Sequence, residues 1–446
     1  MDVLFTNPPV VRWMNGHIRY GPRAGSRWPW TVPDRPPAYF AFPFFMAYAT
    51  SQLQQQGVDA YLYDAVAYEE YNYGTYFDHV KGMSPTIIVI ETSTPTIDID
   101  LMVARRLTEI AEVALVGPHA TTFAEDLIKL PYVTYVLKGE YELSALDMWQ
   151  TRRPGIYEYQ FLKNVDDAPY PYRDPEVINR YWEPTMPTPR PQLQVYASRG
   201  CPFRCVFCMW PPVMYKGKYR ARDPKKVADE IRYCIDHFGT KSILFDDDTF
   251  NIGAKRIAAL CDELKYIRLP WTMMGRLDTT PQWVFDKMID CGCVGMRFGV
   301  ESFCQKILNN IKKGLDCQVA IDTLRYLSKR YPRLPIHITT MKNLPGETEE
   351  DRALNVQVIS ELGFANNSEI RNHQVSSCVP FPGTELYDTL VQSGFGDLLK
   401  DFSRYDGSPD QTVLLSDTII RLGAEYKLSG PTCPDAGDTS DQLLSE

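Results

Sequence analysis

The chain has 446 residues, of which 44% are apolar and 23% charged, and a formal net charge of −9. A chain of that length holds two or three units of roughly 150 residues each; it shows no apolar run able to span a bilayer, and its acidic balance offers no broad basic face to a nucleic acid. The opening Met1-Asp2-Val3-Leu4-Phe5 lacks the basic and apolar regions of a secretory signal, and eleven cysteines, an odd number, suit thiols and metal ligation better than a disulfide scaffold, so a reducing, cytoplasmic setting is expected.

In chain order, Val3-Leu4-Phe5 reads as a buried parallel strand that stops at Asn7-Pro8-Pro9. A helix is predicted over residues 44–55, strands over 57–64 and 86–90, a helix over 98–112 and a fourth strand over 114–117. This alternation predicts βαβ units, whose ligands bind outside the C-terminal strand ends. Residues 7–9, 91–96, 117–120 and 139–142 all fall at that edge. Singly each is ordinary loop chemistry; together they suggest one ligand edge closing a unit over residues 1–150.

Residues 151–190, rich in proline, tyrosine and acids without a period, read as a linker. Strands then recur over 193–197, 242–245, 271–275, 295–300, 336–341 and 369–376, with helices such as 225–238 and 254–265 between them. Six strand-helix repeats over residues 191–390 predict a partial (β/α)6 barrel with its site at the C-terminal strand ends. The fold class is therefore α/β, with a C-terminal extension over 391–446 whose tail from residue 430 is polar.

Cys201-Pro202-Phe203-Arg204-Cys205-Val206-Phe207-Cys208 follows the first barrel strand directly. Three thiolates on one loop can ligate three irons of a [4Fe-4S] cluster and leave the fourth iron open. A zinc site would want a fourth nearby ligand, and between residues 198 and 236 the only further Cys or His is Cys234, on a predicted helix. The loop resembles that of the radical SAM superfamily, CxxxCx(aromatic)C, with Phe207 at the aromatic position. The resemblance implies a cluster on Cys201, Cys205 and Cys208. It also implies S-adenosylmethionine (SAM) contacts from Phe207, from Asp246 and Asp248 after the second strand, from Arg276 after the third and from Glu301 after the fourth. Asn343-Leu344-Pro345-Gly346-Glu347-Thr348 resembles the family's loop after the fifth strand, with Asn343 in place of its first glycine, and Pro380-Phe381-Pro382-Gly383 resembles its terminal signature.

The first unit resembles the Rossmann-like cobalamin-binding domain that precedes the barrel in one radical SAM subfamily. That likeness implies cofactor contacts from Asn7, Pro8, Thr92, Ser93, Thr94, Gly117, His119, Ala120, Gly139, Glu140 and Glu142. It departs from the usual DxHxxG, reading Asp64-Ala65-Val66-Ala67-Tyr68-Glu69-Glu70, so cobalt would lose its lower histidine and Tyr68 would stand at that face. A degenerate domain without corrin is the alternative. Cys291, Cys293, Cys304 and Cys317 straddle a strand and its helix rather than one loop, and read as structural. Trp210 and Tyr215 are either substrate-pocket or packing aromatics.

The implied activity is that of a class B, cobalamin-dependent radical SAM methyltransferase working under anaerobic conditions. In that scheme one SAM methylates cobalamin. A second is cleaved by one electron, and methylcobalamin supplies a methyl group to an unactivated carbon. The resemblance extends to glutamine C-methyltransferases acting on methyl-coenzyme M reductase, which implies a peptide or protein substrate, with small molecules left open. An external reductant such as ferredoxin or flavodoxin is implied as a partner, with neither membrane nor nucleic acid. The alternatives are a non-methylating radical cyclisation, rearrangement or oxidation, and a non-enzymatic cobalamin or metal carrier. A methylthiotransferase would need cysteines before Cys201, and there are none. No catalytic side chain is assigned.

Overall fold

The computed structural model describes residues 1–14, 17–20 and 40–405; the tail expected from residue 430 lies outside the described residues. Two parallel sheets organise the chain. The first has six strands, Val3–Asn7 (β1), Ala60–Asp64 (β2), Ile87–Glu91 (β3), Glu112–Val116 (β4), Tyr135–Leu137 (β5) and Gly155–Tyr157 (β6), in the order β2-β1-β3-β4-β5-β6. β1 opens on the uninterrupted apolar run Val3-Leu4-Phe5 because both its faces are buried. Val3 and Phe5 join the core that includes the helix Phe44–Gln55, and Leu4 joins the core of the helices Tyr73–Met83 and Ile97–Leu107 on the other face. β6 falls inside the stretch read from sequence as a linker. Three residues are too few to show a two-residue period, so composition alone spoke there.

The second sheet is also six-stranded and all parallel. Its strands are Gln192–Val195 (β7), Ser242–Phe245 (β8), Trp271–Gly275 (β9), Cys293–Glu301 (β10), Ile336–Lys342 (β11) and Arg371–Ser377 (β12), in sequential order. The crossing helices carry clear stop and start signals. Asp223 accepts hydrogen bonds from the backbone of Lys225 and Lys226 to open Pro224–Phe238, and Gly239, at φ 64°, closes it. Val195, Phe245, Trp271, Phe298 and Ile338 belong to one barrel core.

The two sheets meet through the segment after the cysteines. Val213, Met214 and Tyr215 are buried in the first unit's core with Phe45, Leu137 and Tyr141, and Trp210–Met214 packs on Gly117–Thr122 at the C-terminal edge of the first sheet. The site is thereby set between the C-terminal ends of both sheets.

Candidate functional site

Ser198–Arg199 pairs antiparallel with Arg220–Ala221 just before the cysteine loop. Gly200, at φ +83°, joins this ribbon to the loop, and a Cβ there would lie 2.1 Å from the Lys218 carbonyl oxygen, so the turn requires glycine. Cys201, Cys205 and Cys208 then line one cavity of about 420 Å³. Cys201 Sγ lies 3.4 Å from Thr249 Oγ1. Burial pushes all three thiols above their usual range. Among the described residues no three His, Cys, Asp or Glu side chains converge as they would on a single ion; a cluster, which takes each thiolate at a separate iron, asks for no such convergence.

The acidic run after β8 divides its work. Asp247 is fully buried and accepts from Ala197 N at 3.0 Å and from the Ser198 hydroxyl, fixing the ribbon, while Asp246 and Asp248 line the cavity. Arg276 lines it too, with its guanidinium 3.7 Å over the Phe203 ring and hydrogen-bonded to Asp278 at 2.9 and 2.6 Å. Glu301 ends β10 in the left-handed region at φ 69° and pairs with Lys313 at 3.0 Å. Phe207 completes the sequence-predicted SAM set on this cavity. Tyr196, Trp210 and Tyr215 form an aromatic wall, Tyr196 stacking on Phe44 at 3.7 Å and Trp210 on Phe45 at 6.0 Å. Lys313, Arg297, His337 and Gln374 also face the cavity and were missed from sequence. The two-residue period through 297, 299 and 301, and through 337, 339 and 341, was the available signal.

The first sheet brings its predicted loops to one edge, and buries them. Thr92 Oγ1 donates to Val116 O at 2.8 Å and accepts from Ala120 N at 3.0 Å. Gly117, at φ +93°, lets this contact form: a Cβ would stand 2.7 Å from Thr92 O. Ser93 bonds Thr96 at 2.9 Å, and Thr94 bonds His119 Nδ1 at 3.2 Å. His119 is 3% exposed beneath Phe402, and burial holds its pKa down to about 3. Asn7 Oδ1 is buried without a hydrogen-bond partner, and Pro8 beside it is buried. Gly139 N donates to Thr121 Oγ1 at 3.0 Å.

Three predicted cofactor contacts are directed elsewhere. Glu142 pairs with Arg199, and Glu140 with Arg199 and Arg220, all within protein. Tyr68 gives its hydroxyl to Asp174 at 2.8 Å and Glu176 at 3.1 Å. In each case the partner lies more than 50 residues away, beyond what local spacing can reveal.

Residues 195–357, which contain the three cysteines and the acidic strand ends just described, match the model of the Radical SAM superfamily. Those residues are a radical SAM domain. Such a domain implies a [4Fe-4S] cluster and SAM. The donor set fits: three half-buried thiols from one loop line a single cavity, as a cluster with one open iron requires. The chain is 27% identical over 376 residues to an uncharacterized methyltransferase of Pyrococcus horikoshii, covering 78% of each chain. It is 27% identical over 251 residues to bacteriochlorophyllide d C-8(2)-methyltransferase of Chlorobaculum tepidum, covering 53% of this chain and 52% of that one. It thus spans most of the first relative and about half of the second. Among solved structures it resembles the radical SAM methyltransferase TsrM of Kitasatospora setae, bound to tryptophan and a SAM analogue, with TM-score 0.65 and 16% identity over 88% of this chain and 76% of that one. It also resembles OxsB with aqua-cobalamin and SAM, with TM-score 0.64 and 16% identity over 92% and 63%. These structural likenesses establish the two-sheet fold.

Proposed function

We propose that this protein is a cobalamin-dependent C-methyltransferase acting on an unactivated carbon, and that its target is a glutamine residue of a protein, of the kind found in methyl-coenzyme M reductase. The carrying observation is the single cavity that joins Cys201, Cys205 and Cys208 to Asp246, Asp248, Arg276 and Glu301 beneath an aromatic wall that Phe44 and Phe45 of the first unit back. Relatives named as methyltransferases, and the cobalamin bound by structurally similar TsrM and OxsB, support the same reading. Asn7 Oδ1, unpartnered at the edge of the first sheet, is the polar atom there that fits a corrin amide.

When bound, the cluster supplies an electron for SAM cleavage and cobalamin supplies the transferable methyl group. The chain's own residues position and shield. Asp246, Asp248 and Glu301 offer carboxylates to the amino and hydroxyl groups of SAM, Arg276 and Phe203 brace the loop between the first two cysteines, and Tyr196, Trp210 and Tyr215 exclude water. His119, held neutral, offers hydrogen bonding at the corrin edge without charge. The electron comes from an external ferredoxin or flavodoxin.

The test is product analysis after anaerobic reconstitution with iron, sulfide and hydroxocobalamin, using SAM, reductant and a glutamine-containing peptide. Matched S-adenosylhomocysteine and 5'-deoxyadenosine with one methyl group added to the peptide is the expected result. 5'-Deoxyadenosine without peptide methylation would reject this target, and no SAM cleavage at all would reject the enzyme reading.

A further inference from the structure

The cavity has a second polar end, away from the cysteines. Arg297 of β10 and His337 of β11 are register partners, both line the cavity, and they are 5% and 3% exposed. Along β10 the pair lies four residues before Glu301, which places it about 13 Å deeper in the barrel. Gln374 of β12 lines the cavity two residues above, opposite Thr339.

The charge at this floor is balanced. The Arg297 guanidinium is paired with Glu183, itself fully buried, and also meets the Thr185 hydroxyl. His337 is neutral, because burial and the neighbouring Arg297 cation hold its pKa down to about 4 against the opposing pull of Glu183. Hydrogen bonding is not balanced: Arg297 Nε and His337 Nδ1 are both buried without a partner. Buried polar atoms in folded proteins are normally paired, and two orphans on residues that line one cavity mark a place where a ligand supplies the missing partners.

We propose that this floor recognises a primary carboxamide on the substrate. A carboxamide oxygen accepts from Arg297 Nε–H, and its N–H donates to His337 Nδ1 when the imidazole proton sits on Nε2. The group brings no charge. A carboxylate would bury an anion beside a guanidinium already matched by Glu183, and would offer His337 no donor. An aliphatic group would leave both atoms unpaired, the case in which polar sites discriminate most strongly. The inference rests on the methyl-transfer reading and gives it a substrate class: a side chain ending in a primary amide, its far end directed toward the cysteine rim.

The test uses full-length protein reconstituted with iron, sulfide and hydroxocobalamin, and three fluorescent peptides identical except for glutamine, glutamate or norleucine at one position. Glutamine should bind at least tenfold more tightly than either alternative. Glu183→Gln, which leaves Arg297 unmatched, should reverse the preference between glutamine and glutamate. His337→Phe, which keeps the charge balance and serves if Glu183→Gln is not recovered, should bring glutamine and norleucine within about twofold. The iron-sulfur electron paramagnetic resonance signal and SAM cleavage, followed in parallel, report on the reaction centre. Equal binding of the three peptides, or no binding of the glutamine peptide, overturns the carboxamide site; if SAM is still cleaved, the enzyme reading survives that loss. Missing SAM cleavage removes the enzyme reading, while the peptide comparison still judges the floor.

Discussion

Arg199 and Glu142 form a salt bridge in which each side chain is only 1% exposed, linking the strand just before Cys201 to the first residue of the helix after the fifth strand of the other sheet. Glu140, fully buried, joins the same network through Arg199 and Arg220. Removing one member of such a network strands a buried charge, which costs far more than the intact pair contributes.

Glu142→Ala should therefore lower stability by about 3–5 kcal/mol in chemical denaturation, and the variant should retain less iron after reconstitution because the cysteine loop loses its anchor. Unchanged stability would mean that Glu140 alone satisfies Arg199.

Replacing Cys201, Cys205 or Cys208 singly by Ala should abolish the visible iron-sulfur absorption and SAM cleavage, with the far-ultraviolet circular dichroism unchanged. Cys291→Ser and Cys293→Ser remove thiols buried in the barrel core, and should leave the iron content intact. Iron loss in that pair would point to a second cluster.

Two buried histidines set an acid limit on stability. Burial holds His119 down to about 3 and His337 down to about 4, whereas the unfolded chain titrates them near about 6.5. Below that unfolded value the unfolded state binds more protons than the folded one, so stability is greatest above it and declines as pH falls toward 4. Thermal melting of the wild type between neutral and mildly acid pH should show the decline, and His119→Gln should make it shallower. A parallel curve for the variant would count against His119 as a source.

Arg204, Lys216 and Lys218 are exposed, and the first two border a hollow whose inner wall includes Cys205 and Cys208. In a chain of net charge −9, this is a local cationic rim suited to an acidic electron donor. Changing all three to Glu should slow cluster reduction by ferredoxin or flavodoxin at least tenfold at low ionic strength and leave reduction by dithionite unaltered. Equal slowing of both would implicate the cluster itself.

Gly117→Ala should destabilise by on the order of 1–3 kcal/mol, because φ +93° and the 2.7 Å approach to Thr92 O both exclude a Cβ. A denaturation midpoint equal to wild type would show that the loop relaxes without loss.

What was legible in the sequence was local. The spacing of Cys201, Cys205 and Cys208, the uninterrupted Val3-Leu4-Phe5 run and the acidic end of the Ser242–Phe245 strand each declare their role within a few residues. What was hidden depended on register between distant strands. Nothing near Arg297 reveals that His337 is its neighbour or Glu183 its counter-ion. Likewise Glu140 and Glu142 read as ligand-edge acids because Arg199 and Arg220 approach them only after the two sheets dock. Gly155–Tyr157 was read as linker for a different reason: a three-residue strand carries too little pattern to outweigh the prolines and tyrosines around it.

The burial of Val213, Met214 and Tyr215 in the opposite unit has a consequence for how the molecule can be assembled. A fragment beginning at residue 191 would display these side chains to solvent on the very loop that must present the thiols, and would leave Arg199 without its carboxylates. Cluster loading is thus tied to prior folding of the N-terminal half. Order of synthesis favours this outcome, since that half leaves the ribosome first and is ready as a template when the cysteines emerge.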